Sequence, residues 1–396
     1  MGNIYKKEDF INLNRKYLRE LTVSNIDSYI KILEKGEFII SNESYQNGVK
    51  SQGYKLNPMY VNGLVEFTIK PNSRLGKRII KNLRKRKAHY NRLEPHLKSM
   101  KDELMKMEFD YEGAKKWIEG VPEPSKKLSY LTSINHIQDK RLRYFKRNKT
   151  NGRLDTNLTN LKSELRQFIK GDYVSIDLKN SQPFLLGVLI DNIINYRDTL
   201  CCYLDESKIT ETFGIKAIRK IRLIHQNQEK SEMVNFRTFY EAVLKGNLYD
   251  DFTKSYTEDI SRAEAKNIIF RILFSQNGIY QNYKKTIPFE KDKKIFASVY
   301  PFIFHAVKIF KLKDHKLLPI YLQQIESYLF IDCIAKELVV NGIVPFTIHD
   351  SVLVKVEYRD EAMEIIKRVF NDQIGVIPTF DIKALNKSDL SFKYER

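Results

Sequence analysis

Two hydrophobic periods divide this chain. In "YVSID" (173–177) apolar and polar residues alternate, the two-residue period of a strand, and this one runs into a carboxylate. The same alternation flanks the pair His349-Asp350 in "VPFTI" and "VLVKV", which predicts two strands joined by a tight turn. Between these segments the period lengthens. Residues 195–315 are expected to be mostly helical, and Pro183 is placed for the first turn of a helix. A further helix fits "LLPIYLQQIESYLFIDCIAKELVV" (317–340), ended by Asn341-Gly342. Strand, helical insertion, helix and hairpin describe an α+β fold whose sheet is assembled from distant segments.

Upstream the pattern is less regular. Residues 1–70 mix short helical and extended patterns and carry no assignable chemistry. From Arg74 to Lys106 the spacing predicts helix, with Ile79, Ile80 and Leu83 facing inward and a dense run of cations outward. "GVPEPSKK" (120–127) reads as a linker or sharp turn. The longest apolar run, "PFLLGVLI" (183–190), is far shorter than the ~20 residues that span a bilayer, so no membrane partner is expected.

Charge sharpens the picture. The 396 residues hold 68 Lys and Arg against 49 Asp and Glu, a surplus of 19 positive charges. Such a surplus suits a polyanion, most simply nucleic acid, because binding releases condensed counterions. Lys77, Arg78, Lys81, Arg84, Lys85, Arg86 and Lys87 form the densest basic stretch and are candidates for phosphate contact. In "KRLRYFKRNKTNGRL" (140–154) aromatics sit among cations, a mixture that holds phosphates and stacks bases. Only Cys201, Cys202 and Cys333 occur, with no zinc-like spacing. "MGNIYKKEDF" lacks the apolar stretch of a signal peptide, and a reducing, cytoplasmic setting is expected.

Candidate chemistry lies at the strand ends. Asp177 and Asp350 each stand where a strand meets a turn, and a rigid sheet can bring two such carboxylates together. Phosphoryl and nucleotidyl transfer use paired acids to hold two divalent ions about 3.5–4 Å apart. Mg²⁺ suits hard oxygen ligands and keeps waters, with Mn²⁺ able to substitute. In "SRAEAKNIIFRILFSQNG" (261–278), Arg262, Lys266, Phe270 and Phe274 recur every four residues and fall along one helical stripe. Two cations followed by two rings can serve a nucleoside triphosphate from phosphates to base. The alternative is that the rings are core and the cations merely solvated. A His-Asp metal phosphohydrolase is disfavoured, since His89, His96, His136, His225, His305 and His315 show no metal-ligand spacing.

Four of these segments, in order, resemble the polymerase domain of family A DNA polymerases and, more distantly, single-subunit RNA polymerases. "NGRLDTNLTNL" (151–161) is similar to the family's primer-template segment, "VSIDLKNSQPFLL" to its first palm motif, "RAEAKNIIF" with Phe274 to its fingers helix, and "IHDS" to its second palm motif. The likeness covers roughly residues 140 to 396. It implies a right-hand polymerase fold, with an antiparallel-sheet palm and mainly helical fingers and thumb. The expected regions are 1–125, basic and thumb-like or accessory; 126–190, primer-template contact and first palm segment; 191–316, fingers; and 317–396, palm with the catalytic hairpin.

The resemblance further implies roles. Asp177 and Asp350 would hold two Mg²⁺ ions, and Arg262 and Lys266 would bind the triphosphate, with Lys266 protonating the leaving group. Phe270 and Phe274 would line the nucleotide site, Arg153 would touch the primer-template and His349 the primer end. Gln323 or Gln324 would contact the template. Partners would be primer-template DNA or a single-stranded template, nucleoside triphosphates and replication proteins.

Three departures bear on the sugar. Gln182 stands where the family's DNA enzymes carry a glutamate that blocks the ribose 2′-hydroxyl. Phe274 replaces a tyrosine, and Ser351 follows Asp350 as in single-subunit RNA polymerases. The expected activity is DNA-directed DNA synthesis without a proofreading exonuclease, on a mobile element or phage. An RNA polymerase or primase, and a non-catalytic nucleic-acid-binding relative, are the alternatives.

Overall fold

The computed structural model describes residues 10–15, 18–19, 25–42, 51–60, 69–73, 75–81, 90–197, 199–227, 230–255, 260–281 and 284–385. The chain divides into two compact units, Met1–Lys98 with Asp110–His136, and Ser99–Phe109 with Ile137–Arg396.

The first unit holds a small antiparallel sheet of β1 (Ile11–Asn12), β2 (Ile39–Ser41) and β3 (Gly53–Leu56), with β3 central, and helix α1 (Ile26–Lys35). Residues 75–81 are helical, and Lys77, Arg78 and Lys81 lie on them. Arg84, Lys85, Arg86 and Lys87 lie outside the described residues. The basic segment is not one helix to Lys106: the chain turns at residues 91–94 and restarts as α2 (Pro95–Lys106), which from Ser99 on belongs to the second unit. The break follows from Pro95, whose ring disfavours helical backbone at the preceding residue but suits the first turn of a new helix. Helices α3 (Tyr111–Glu119) and α4 (Pro124–Gln138) follow. Only residues 120–123 separate them, because Pro124 opens α4 rather than extending a linker.

The second unit is α+β. Its ladder β4 (Phe145–Arg147) with β5 (Leu154–Thr156) precedes strand β6 (Tyr173–Leu178) and helix α5 (Ser181–Asn195). Helices α6 (Glu206–Phe213), α7 (Ile215–Gln226), α8 (Lys230–Lys245), α9 (Leu248–Ser255) and α10 (Arg262–Phe274) come next. A hairpin, β7 (Ile279–Gln281) and β8 (Lys284–Thr286), interrupts the otherwise helical stretch before α11 (Glu290–Val299) and α12 (Pro301–Phe310). Then α13 (Leu317–Ser327) widens into a π-helical segment, Tyr328–Ala335, and closes as α14 (Lys336–Val340), with Gly342 left-handed at φ 81° where a Cβ would be strained. Strands β9 (Phe346–Ile348) and β10 (Ser351–Lys355), helix α15 (Arg359–Ile374) and β11 (Phe380–Ala384) complete it.

The four-stranded sheet runs β11-β6-β10-β9, antiparallel throughout. Its two faces differ because side chains alternate. Val174, Ile176 and Leu178 of β6, with Val352 and Val354 of β10, join the helical core beneath. Helix α5, buried from Ser181 to Ile193, is the centre of that core and is apolar almost all round for that reason.

Candidate active site

On β6 the two-residue period that buries Ile176 sends Ser175 and Asp177 to the opposite face. Register does the rest. Ser351 of β10 lies opposite Asp177, and Leu353 opposite Ser175. On the other flank, Asp381 of β11 lies opposite Asp177, and Lys383 opposite Ser175. One face therefore gathers Ser175, Asp177, Ser351, Asp381 and Lys383. Ser175 Oγ donates to Asp177 Oδ1 at 2.7 Å and shares a hydrogen bond of 2.6 Å with Ser351 Oγ. Lys383 pairs with Asp381 at 2.5 Å, and that bond, with the charge of Asp177, raises the ammonium above its ordinary value.

Asp350 reaches this face from the hairpin turn. Ile348 and Ser351 pair directly, which leaves His349-Asp350 as a two-residue loop, the tightest hairpin connection. His349 accordingly adopts left-handed backbone, φ 57°, costly for a residue with a Cβ. The Leu178 amide donates to the Asp350 carbonyl at 3.0 Å, locking the turn to the end of β6. Asp350 is half-buried, and its carboxyl is held above the ordinary aspartate range by burial first and the charge of Asp177 second; Arg153 and a hydrogen bond from Ser181 oppose this. His349 is exposed, yet neighbouring protein strips enough solvent from its ring, with Arg153 and Arg166 adding, to keep the imidazole below its ordinary value.

Behind the pair sits a carboxylate that residue spacing does not single out. Glu326, only 1% exposed, accepts from Arg153 Nε at 2.8 Å and Nη2 at 2.6 Å, from Gln182 Nε2 at 2.6 Å and from Ser181 Oγ at 3.1 Å. Burial pushes its carboxyl up to about 7 against the pull of Arg153. A signal for it exists in principle, since Glu326 falls four residues after Leu322 on the apolar stripe of α13. Gln323 and Gln324, the template candidates, engage the turn at 148–153. Gln323 Oε1 accepts from Asn151 Nδ2 at 3.0 Å, and Gln324 Nε2 donates to the Thr150 carbonyl at 2.8 Å.

The stripe on α10 is an outward face. Ser261 and Glu264 cap each other at its start, and Ala265, Ile268, Ile269, Ile272 and Leu273 point into the core. Arg262 and Lys266 are exposed, while Phe270 and Phe274 are half-buried and stacked, centroids 5.5 Å apart and planes 11° from parallel. Phe274 packs against the edge of the buried core, and the two cations stand in solvent. Arg262 pairs with Asp250 at 3.1 Å and lies over the Tyr249 ring at 5.4 Å; Lys266 lies over Phe270 at 5.8 Å. Tyr249, buried, has its phenol pushed up to about 12 by burial and feels both Arg262 and Asp350, and Lys383 feels both Arg262 and Asp177. The start of α10 and the two aspartates thus share one electrostatic neighbourhood. Lys77, Arg78 and Lys81 belong to the other compact unit.

Two neighbouring carboxylates, one raised by burial and then by the charge of the other, form a donor set that a hard divalent cation would relieve. Among the described residues no group of three or more His, Cys, Asp or Glu side chains could hold a metal ion. An ion on Asp177 and Asp350 would therefore complete its shell with water and substrate oxygens, which Mg²⁺ accepts.

No protein-family model matches the chain, and no curated protein sequence matches it either. Among solved structures it is similar to the POL domain of Pol1 from M. smegmatis in complex with a DNA primer-template and dNTP, with 9% identity and a TM-score of 0.33. The match covers 65% of this chain and 51% of that one, so the chain spans about half the length of this neighbour. Among the described residues, no helix is long and apolar enough to cross a membrane.

Proposed function

We propose that this chain is a template-directed nucleotidyltransferase of the family A polymerase type, which extends a nucleic-acid 3′-end. The observation that carries the reading is the convergence of Asp177 and Asp350 in one electrostatic neighbourhood with the start of α10, whose exposed cations Arg262 and Lys266 lead to the half-buried, stacked rings of Phe270 and Phe274. A right-hand arrangement with the β11-β6-β10-β9 sheet as palm and α10 as fingers helix is part of the same proposal.

The residues then divide the work. Arg262 and Lys266 bind the β- and γ-phosphates. Arg262 must first leave Asp250, a cheap exchange because exposed pairs are worth only about 0–1 kcal/mol. Among the described residues no carboxylate pairs with Lys266, which leaves its ammonium available to give a proton to the departing pyrophosphate. Phe270 stacks on the base or sugar, with Phe274 buttressing it in parallel. Arg153 contacts the primer-template and His349 lies at the primer end, while base pairing with the template selects the nucleotide. Asp177 and Asp350 would hold two Mg²⁺ ions. When bound, these supply Lewis-acid charge to the attacking hydroxyl and to the phosphates.

DNA synthesis is the leading reading. Gln182 and Ser351 favour a second, RNA synthesis or priming, because the amide at 182 is neutral and tied back to Glu326. Incorporation assays with Mg²⁺, comparing dNTPs with NTPs, with and without a primer, decide between them. Efficient NTP use without a primer selects the second reading. If neither sugar is incorporated on any template, the enzymatic proposal fails and a binding-only role stands; incorporation that survives Asp177→Ala overturns the role given to the Asp177–Asp350 pair.

A further inference from the structure

Glu326 ties two separate segments to its own helix α13: the 148–153 turn through Arg153, and the first turn of α5 through Ser181 and Gln182. A buried carboxylate is costly unless its lone pairs are used. Here Oε1 meets two guanidinium nitrogens of Arg153, and Oε2 accepts from Ser181 and Gln182. Two of these partners lead onward. Ser181 lies within reach of Asp350, and the charge of Arg153 acts on both Asp350 and His349. The third has a visible consequence. With its NH₂ turned to Glu326, Gln182 buries its Oε1 without a partner.

We propose that Glu326 is a positioning residue of the polymerase site, holding Arg153 and Ser181 in fixed relation to Asp350 so that primer-template contact and the carboxylate pair form one rigid unit. The proposal rests on the functional reading above and adds a residue to it. Geometry, more than charge, is what Glu326 supplies. Glutamine at 326 can still accept from Arg153, and its amide NH₂ can meet Gln182 once that side chain flips to present its orphaned Oε1. Aspartate keeps the charge but is one methylene too short to reach both sides.

The test uses the full chain as wild type, E326Q, E326D, E326A, R153A and the double variant E326A/R153A. Each is checked for native circular dichroism, then titrated into a fluorescein-labelled primer-template hairpin by anisotropy and assayed for incorporation. E326A and E326D should each weaken primer-template binding about tenfold and raise KM for it, and the double variant should bind no more weakly than R153A alone. E326Q should stay within about threefold of wild type. If E326A does not fold, E326D carries the comparison. Penalties that multiply in the double variant, or an E326D that binds like wild type, overturn the proposal. A wild type that shows this coupling but incorporates no nucleotide sinks the polymerase reading and supports the positioning role; one that binds no primer-template sinks both.

Discussion

Replacing Asp350 by asparagine removes one charge from the carboxylate pair while keeping the side chain's size and an oxygen that can accept from Ser181. In the native chain burial and then Asp177 hold the Asp350 carboxyl above its ordinary value. The sign follows from linkage. A folded-state pKa above the unfolded one means that the group's contribution to stability is complete below about pH 4 and is lost as pH rises through the folded value. At neutral pH ionised Asp350 therefore weighs against folding, and Asp350→Asn lifts that weight. Two unit charges about 6 Å apart repel by about 3 kcal/mol at an effective dielectric near 20. Asp177 is half-exposed and Arg153 returns part of the cost, which leaves a net gain of about 1–2 kcal/mol at pH 7.5. For a unit of this size that is roughly 2–6 °C in Tm. Melting without divalent ions should show the gain at pH 7.5 and none at pH 4, and added Mg²⁺ should stabilise the wild type more than the variant. Primer extension by the variant should fall about a thousandfold or more. A variant that melts lower than wild type at pH 7.5, or gains equally at both pH values, refutes the like-charge argument.

Three further outcomes are expected. Phe370, fully buried against the rings of Phe184, Phe330 and Phe380, should cost about 3–5 kcal/mol when cut to alanine, read as a lower urea midpoint at unchanged m. At the left-handed turn, His349→Gly should stay within about 1 kcal/mol of wild type in stability while extension falls, whereas β-branched His349→Val should lose about 2 kcal/mol or more; equal melting of the two would show that the turn carries no strain. Neutralising Lys77, Arg78 and Lys81 together should reduce the slope of log binding constant against log salt by up to about 0.9 for each phosphate no longer neutralised, and an unchanged slope would exclude phosphate binding there.

Much of the second unit is legible in the residue order. Alternation in "YVSIDL" and "VLVKV" predicts strands β6 and β10, and the four-residue recurrence from Arg262 to Phe274 predicts that these residues share one stripe of α10. The break before Pro95 and the β7–β8 hairpin are less visible, because a continuous helical pattern hides a local proline constraint and a three-residue strand carries almost no periodic signal. Glu326 reads in isolation as one polar residue in an apolar helix.

Residue order alone dictates which face Asp177 takes, since a period of two leaves no choice once Ile176 is buried, and it places Lys266 and Phe270 on one stripe. Packing is what sets Asp381 and Ser351 beside Asp177, holds the Asp350 carboxyl above its ordinary pKa, and brings Arg153 to a buried Glu326 173 residues away. Strand register, solvent exclusion and long-range hydrogen bonds depend on which segments pack together, and local spacing holds no record of that.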